Sequence, residues 1–273
     1  MRFTVFGAGG FIGSRLAAHL RTRGHEVRTP ARGEEARGPL GNAVYAIGIT
    51  ADFREKPFET IDAHVSTLAR LLQGADYESW LLLSSTRLYG LDHGGAAARE
   101  DDAVTVQPGA DTLYDLTKLT GEALCLSMPR TRVARLSNVY GVGQARDNFL
   151  GSVLGELAAK ASVVLREAPE SSKDYVAVER LPSLLEAMAL RGRERVYNVA
   201  SGRPVTHASL AARLAELTGR EVRFAPNAPR RALARIDASR AAAEFGFDAG
   251  SLLDDLPALL AETSISRTDT PAR

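Results

Sequence analysis

Residues 2–22 read RFTVFGAGGFIGSRLAAHLRT, and this stretch decides the fold. Residues 2–6 are a short β-rich run. Glycines follow at once, and Phe11, Ile12, Leu16 and Leu20 then recur at helical spacing. A strand, a glycine turn and a helix in direct succession are the context a dinucleotide site requires. The glycines stand at 7, 10 and 13, which is GxxGxxG rather than GxGxxG. Gly7 permits the tight turn, Gly10 lets the backbone approach a pyrophosphate, and Gly13 lets helix and strand pack closely. The free N–H groups at the helix start, Phe11 and Ile12 among them, and the helix dipole suit the phosphates.

Working outward, residues 25–29 read as a second strand, closed by Pro30. The end of that strand selects between ribose hydroxyl and ribose phosphate. No carboxylate stands there. Arg28 and Arg32 do, and Glu34 and Glu35 come later, so the reading leans to NADP over NAD. Residues 30–42 read as loop, and strands follow at 42–48, 79–85 and 131–137 with helices at 58–73 and 112–127. The pattern is α/β, a Rossmann-type doubly wound parallel sheet. In the second half, helices are expected at 147–160, 179–190 and 206–218. Strands are expected at 162–166, 174–178, 195–200 and 221–224, and residues 264–273 read as frayed. Residues 1–141 read as the dinucleotide-binding domain and 142–273 as a substrate lobe interleaved with it.

The 273 residues are 45% hydrophobic and 25% charged, with net charge +1 and one cysteine. Such a chain has the composition of a folded globular protein and lacks the positive field of a general nucleic-acid or membrane binder. An internal disulfide is excluded and no metal site is expected. Cys125, between Leu124 and Leu126, reads as a buried small hydrophobe. The chain starts straight into a strand, and no run approaches the roughly 20 apolar residues that span a bilayer, so the expected location is cytoplasmic.

Two further segments carry chemistry. Residues 84–90 (SSTRLYG) close a continuous apolar strand, and residues 114–118 (YDLTK) put Tyr114 and Lys118 on one helical face. A free tyrosine, with a pKa of about 10, is a poor base. A nearby ammonium favours the phenolate, so Lys118 is expected to activate Tyr114 while holding nicotinamide ribose hydroxyls. Tyr114 then exchanges a proton with a substrate oxygen that Ser85 positions.

With GAGGFIG (7–13), SSTRLYG, Glu100-Asp101-Asp102, YDLTKLTGE (114–122), RLSNVYG (135–141), KDYVAVERL (173–181) and YNVASGRPV (197–205), the chain resembles an extended short-chain dehydrogenase/reductase of the NAD-dependent epimerase/dehydratase family. The resemblance runs to about residue 218. It implies Tyr114 and Lys118 for proton transfer, Ser85 as their partner, and Asn138 on a nucleotide-sugar substrate. It also implies Arg231 as a phosphate clamp beside Arg230, and a homodimer through the helices at 58–73 and 112–127. The implied reaction is hydride transfer at a sugar carbon of a nucleotide-activated sugar, by epimerisation or reduction. The alternatives are an NADPH-dependent reductase of a non-sugar carbonyl and a non-catalytic NAD(P) sensor.

Three departures from the family pattern carry information. Thr86 and Arg87, on the substrate side, stand where 4,6-dehydratases carry Asp-Glu, which disfavours dehydration. His64 stands where the family often has asparagine, and it reads as a packing residue before a proton relay. Finally, one βα unit after the second strand is shortened or missing.

Overall fold

The structure, a computed structural model, describes residues 1–34, 38–92 and 94–262. The frayed segment read at 264–273 lies outside the described residues. Strand β1 (Arg2–Phe6) is buried from Phe3 onward, as a central parallel strand covered on both faces must be. Gly7 turns the chain at φ +83°. Helix α1 (Phe11–Thr22) then buries Gly13, Leu16, Ala17 and Leu20, the stripe its spacing encodes. Strand β2 (Glu26–Arg28) pairs with β1 and forms the sheet edge. The chain crosses from there to β3 (Asn42–Tyr45) on the other side of β1.

The helix expected at 58–73 comes in three pieces. These are α2 (Pro57–Ile61), a π-turn over Asp62–Ser66, and α3 (Thr67–Leu72). Strand β4 (Ser79–Ser85), helix α4 (Leu113–Leu126) and strand β5 (Thr131–Leu136) follow. A short β6 (Asn138–Tyr140) leads to α5 (Phe149–Ala159), β7 (Ser162–Leu165), β8 (Ser172–Lys173) and β9 (Tyr175–Ala177). The chain then returns to the sheet through α6 (Leu181–Arg191) and β10 (Val196–Val199). It ends, as described, in β11 (Val205–Thr206), α7 (His207–Thr218), β12 (Glu221–Phe224), α8 (Ser239–Phe245) and α9 (Leu252–Glu262).

The main sheet has six parallel strands in the order β2-β1-β3-β4-β5-β10. This is a Rossmann-type doubly wound sheet in which, among the described residues, no strand pairs beyond β2. One face packs on α1 and α6 through Leu16, Leu20, Leu185 and Met188. The other packs through Leu68, Trp80 and Cys125. A separate apolar cluster joins α5, α7 and α9 through Leu154, Leu214 and Leu256. The order in which strands are added reverses between β1 and β3, and ligands of such sheets bind outside the strand carboxyl ends at that point. Among the described residues no helix is long and apolar enough to cross a membrane.

Candidate active site

The glycine turn meets the steric demands of its spacing. A Cβ on Gly7 would lie 2.8 Å from the Ala46 carbonyl carbon, and one on Gly13 would lie 2.3 Å from the Gly7 oxygen. Gly9 and Gly10 differ. A Cβ on Gly9 meets nothing within 4 Å, and one on Gly10 meets only the Gly7 oxygen, at 3.3 Å. The backbone here therefore borders open space. Helix α1 has no side-chain cap and no acidic residue in its first turn, and the first N–H groups of a helix lack intrahelical partners. Phe11, Ile12 and Gly13 thus supply donors to that space. These residues fit a dinucleotide pyrophosphate.

The end of β2 is less basic than its sequence suggests. Glu34 folds back, accepting from the Ala31 N–H at 2.8 Å and from Arg28 at 3.1 Å. The strand end carries an Arg28–Glu34 pair, with exposed Arg32 beside it.

Ser85, Tyr114 and Lys118 converge where β4 ends and α4 begins. Ser85 accepts the Arg87 N–H at 3.1 Å and caps the 3₁₀ turn of residues 86–89. Its hydroxyl lies close enough to Tyr114 to act on the tyrosine's pKa. Burial raises the Tyr114 pKa, while the Ser85 hydroxyl and the Arg87 charge pull it back, and Asp115 opposes them. Lys118 lies on the same side of the helix. Its ammonium lies 5.9 Å from the Tyr114 ring centroid and donates to the Leu83 carbonyl at 3.1 Å. Burial pushes its pKa down to about 8, against the raising effect of Glu122.

His64 is 2% exposed and meets the Tyr114 ring edge-on at 5.4 Å. Its Nε2 accepts the Ile49 N–H at 3.1 Å. The proton of the neutral ring therefore sits on Nδ1, which donates to Thr117 Oγ1 at 2.8 Å. Thr117 donates in turn to the Tyr114 carbonyl at 3.0 Å. Burial and the Lys118 charge push the His64 pKa down to about 3. Both ring nitrogens are engaged, so His64 ties the loop after β3 to the first turn of α4. The π-turn carries its ring inward, a frequent use of such turns.

The model of the NAD dependent epimerase/dehydratase family matches residues 42–200, more than half of the chain. The chain belongs to that family. It is 27% identical over 295 residues to a dTDP-4-dehydro-6-deoxy-D-allose reductase of Streptomyces sp., covering 89% of this chain and 90% of the relative. Among solved structures it is similar to MoeE5 in complex with UDP-glucose and NAD (TM-score 0.80, 22% identity, 97% of this chain and 99% of that one). It is also similar to RMD from Pseudomonas aeruginosa complexed with NADPH (TM-score 0.79, 20% identity, 96% and 99%).

In this member of the epimerase/dehydratase family the residues assigned to the substrate are unequally placed. Thr86 is buried, and its hydroxyl meets Ser137 Oγ at 3.2 Å, facing the end of β5. Asn138 donates its side-chain amide to the Asp174 carbonyl at 2.8 Å. Arg231 is exposed, and with Arg54 and Arg87 it depresses the pKa of Asp111. Sequence reading missed Lys173 as part of this basic group. Its pKa is lowered by burial, with Arg231 and Arg87 acting in the same sense and Glu167 opposing. Lys173 lies 4.4 Å from the Phe149 ring centroid and donates to Glu167 at 3.1 Å. Its neighbour Asp174 is structural, accepting the Ser201 N–H and hydroxyl at 2.8 and 2.7 Å. Glu100, in the acidic run before Pro108, is buried and accepts the Asn198 N–H at 2.8 Å.

Proposed function

We propose that this family member reduces a keto group on a nucleoside diphosphate sugar, with Tyr114 as the proton donor. The observation that carries the reading is the convergence of Ser85 with buried Tyr114 and buried Lys118 at the carboxyl end of β4, the Lys118 ammonium 5.9 Å from the Tyr114 ring centroid. The reductase relative, matched over nine-tenths of its length, supports it. When bound, the dinucleotide supplies the hydride. The N–H groups of Phe11, Ile12 and Gly13 hold its pyrophosphate, and Lys118 holds ribose hydroxyls. Ser85 fixes the substrate oxygen. Tyr114 gives that oxygen its proton as negative charge develops on it. Lys173 and Arg231 attract the diphosphate, with Asn138 and Arg87 lining the approach. In this reading residues 1–141 serve chiefly the cofactor and the remainder chiefly the substrate.

The hydride donor proposed is NADPH, favoured by Arg28 and Arg32 and opposed by Glu34. Dehydration is disfavoured because Thr86 and Arg87 stand where elimination would need a carboxylate acid–base pair. A homodimer through α2, α3 and α4 would cover Phe58, which is 81% exposed, and Ile61, 39% exposed. Light scattering at micromolar concentration should return twice the chain mass, and a monomer would contradict that arrangement. The test of function is a panel of 4-keto nucleoside diphosphate sugars with NADPH or NADH, followed at 340 nm. Absorbance loss with at least one substrate is the expected result. Interconversion of two ordinary nucleotide sugars, with no net cofactor change, would make the protein an epimerase instead.

A further inference from the structure

The start of helix α7 holds a buried imidazole whose hydrogen bonds are unmade. His207 is 1% exposed, and neither ring nitrogen has a hydrogen-bond partner among the described residues. Buried polar atoms are nearly always satisfied, so such an orphaned pair calls for an explanation. The ring stacks on Phe149, with centroids 4.4 Å apart and planes 13° apart. Its Nε2 stops 3.6 Å from Glu167 Oε2, just outside hydrogen-bond range. The same Glu167 oxygen accepts from Lys173 at 3.1 Å. One carboxylate oxygen thus stands between an ammonium that holds it and an imidazole that does not. The backbone ties the two sides together. Thr206 pairs with Ser172 in the β8–β11 ladder, and the His207 N–H donates to the Ser171 carbonyl at 2.8 Å.

We propose that His207 is a positioning residue for an anion at Lys173: when Lys173 turns from Glu167 to a phosphate oxygen, Glu167 passes to His207, which takes up a proton from water. The anion half rests on the reading of Lys173 as a diphosphate ligand, and the linkage of the three side chains does not. A largely buried carboxylate that loses its cation is stabilised by the nearest group able to become one. His207 is that group, and a shift of under about 1 Å would bring its Nε2 into hydrogen-bond range. The bound anion acts in the same direction, since negative charge at Lys173 favours the imidazolium. In the unliganded chain burial and the Lys173 charge hold the His207 pKa down at about 4, and Glu167 opposes them. Diphosphate binding is therefore tighter at lower pH. The other charged groups nearby are committed or face outward. Arg231 and Arg87 act on Lys173 in the same sense as its burial, and a guanidinium does not titrate in the working range. Asp174 is held by Ser201, and Asp255 on α9 accepts from the Tyr140 hydroxyl. Burial pushes the Tyr175 phenol up. Arg166 and Glu170 beside Glu167 are exposed, as is Asp147 ahead of α5.

The experiment has a ligand-free arm and a ligand arm. In the first, the histidine ring signals of the full chain are titrated by NMR, and the His207 signal is the one lost in His207→Gln. Lys173→Met should move His207 titration to higher pH by about one unit or more, because Glu167 is left to the imidazole alone. Adding Glu167→Gln to Lys173→Met should cancel most of that rise. An unchanged or lower His207 pKa in Lys173→Met overturns the proposal, and so does a rise that persists undiminished in the double variant. In the second arm, binding of UDP-glucose and of dTDP-glucose is measured by calorimetry at pH 7.5 and pH 5.5. The diphosphate of neither ligand changes charge between those values. Affinity should rise several-fold at the lower pH, with proton uptake seen as a binding heat that depends on the ionisation enthalpy of the buffer. His207→Gln and Glu167→Gln should each flatten the rise. Binding without proton uptake, or a rise that survives in both variants, overturns the proposal. Should His207→Gln fail to fold, the His207 signal is identified as the one that Glu167→Gln moves, and Glu167→Gln decides the second arm. Failure of both nucleotide sugars to bind would instead sink the diphosphate reading, with the Lys173→Met titration still deciding the linkage.

Discussion

The glycine end and the tyrosine end of the candidate site are built by different physics. At the glycine end, backbone contacts leave no room for a Cβ on Gly7 or Gly13. At the tyrosine end, side chains from β4, the π-turn and α4 meet around the buried Tyr114 side chain. The first end is dictated by sterics within a dozen residues of chain. The second depends on partners brought together across the sheet. Substitutions at the first should therefore damage stability, and substitutions at the second should damage chemistry.

The largest effect expected is on chemistry. Tyr114→Phe removes the proton donor and should lower kcat by at least about 10²-fold, with the fold preserved by circular dichroism. A wild-type rate would break the contrast at its stronger pole. Gly13→Ala tests the other pole. Its Cβ would press on the Gly7 carbonyl, and a loss of about 3 kcal/mol in urea denaturation is expected for such overpacking. Unchanged stability would mean that the turn relaxes freely.

A third prediction concerns pH. His64 has its pKa lowered from 6.5 to about 3 in the folded chain. Between those values the unfolded chain binds a proton that the folded chain does not, so this residue makes stability fall as pH drops below about 6.5. Urea midpoints at pH 7 and pH 5 should differ less in His64→Asn than in the unsubstituted protein. An equal or larger difference would show that His64 is protonated in place. The smallest effect is at the β2 end. Glu34→Ala removes one acidic partner of Arg28 and should raise the preference for NADPH over NADH by only a few-fold, because exposed charge pairs are weak. A swing toward NADH would reverse the reading of that strand.

The same contrast explains what was legible in the sequence. The period of Phe11, Ile12, Leu16 and Leu20, the glycine spacing and the short crossing from β2 to β3 all follow from local rules, and the described fold has them. The Ser85, Tyr114 and Lys118 trio was legible from order and spacing, and the fold brings the three together. The π-turn was not, because apolar spacing continues through 58–73 without a break. Nor were β6 and β9, whose three-residue ladder pairs Asn138 with Tyr175 across the intervening α5. Strands that short carry no readable period. Helices α8 and α9 fall beyond the stretch that the family resemblance covers. Glu34 turning back on Arg28, and Arg87 turning onto Tyr114, are choices of side-chain conformation that spacing does not encode.

The central claim is hydride delivery to a sugar carbon, and a label tests it most directly. The protein is incubated with a 4-keto nucleoside diphosphate sugar and NADPH deuterated at the transferring carbon, and the product is read by mass spectrometry and NMR. The account predicts one deuterium on the former keto carbon for each NADPH oxidised. Product without deuterium, or no cofactor oxidation with any substrate of the panel, would contradict it.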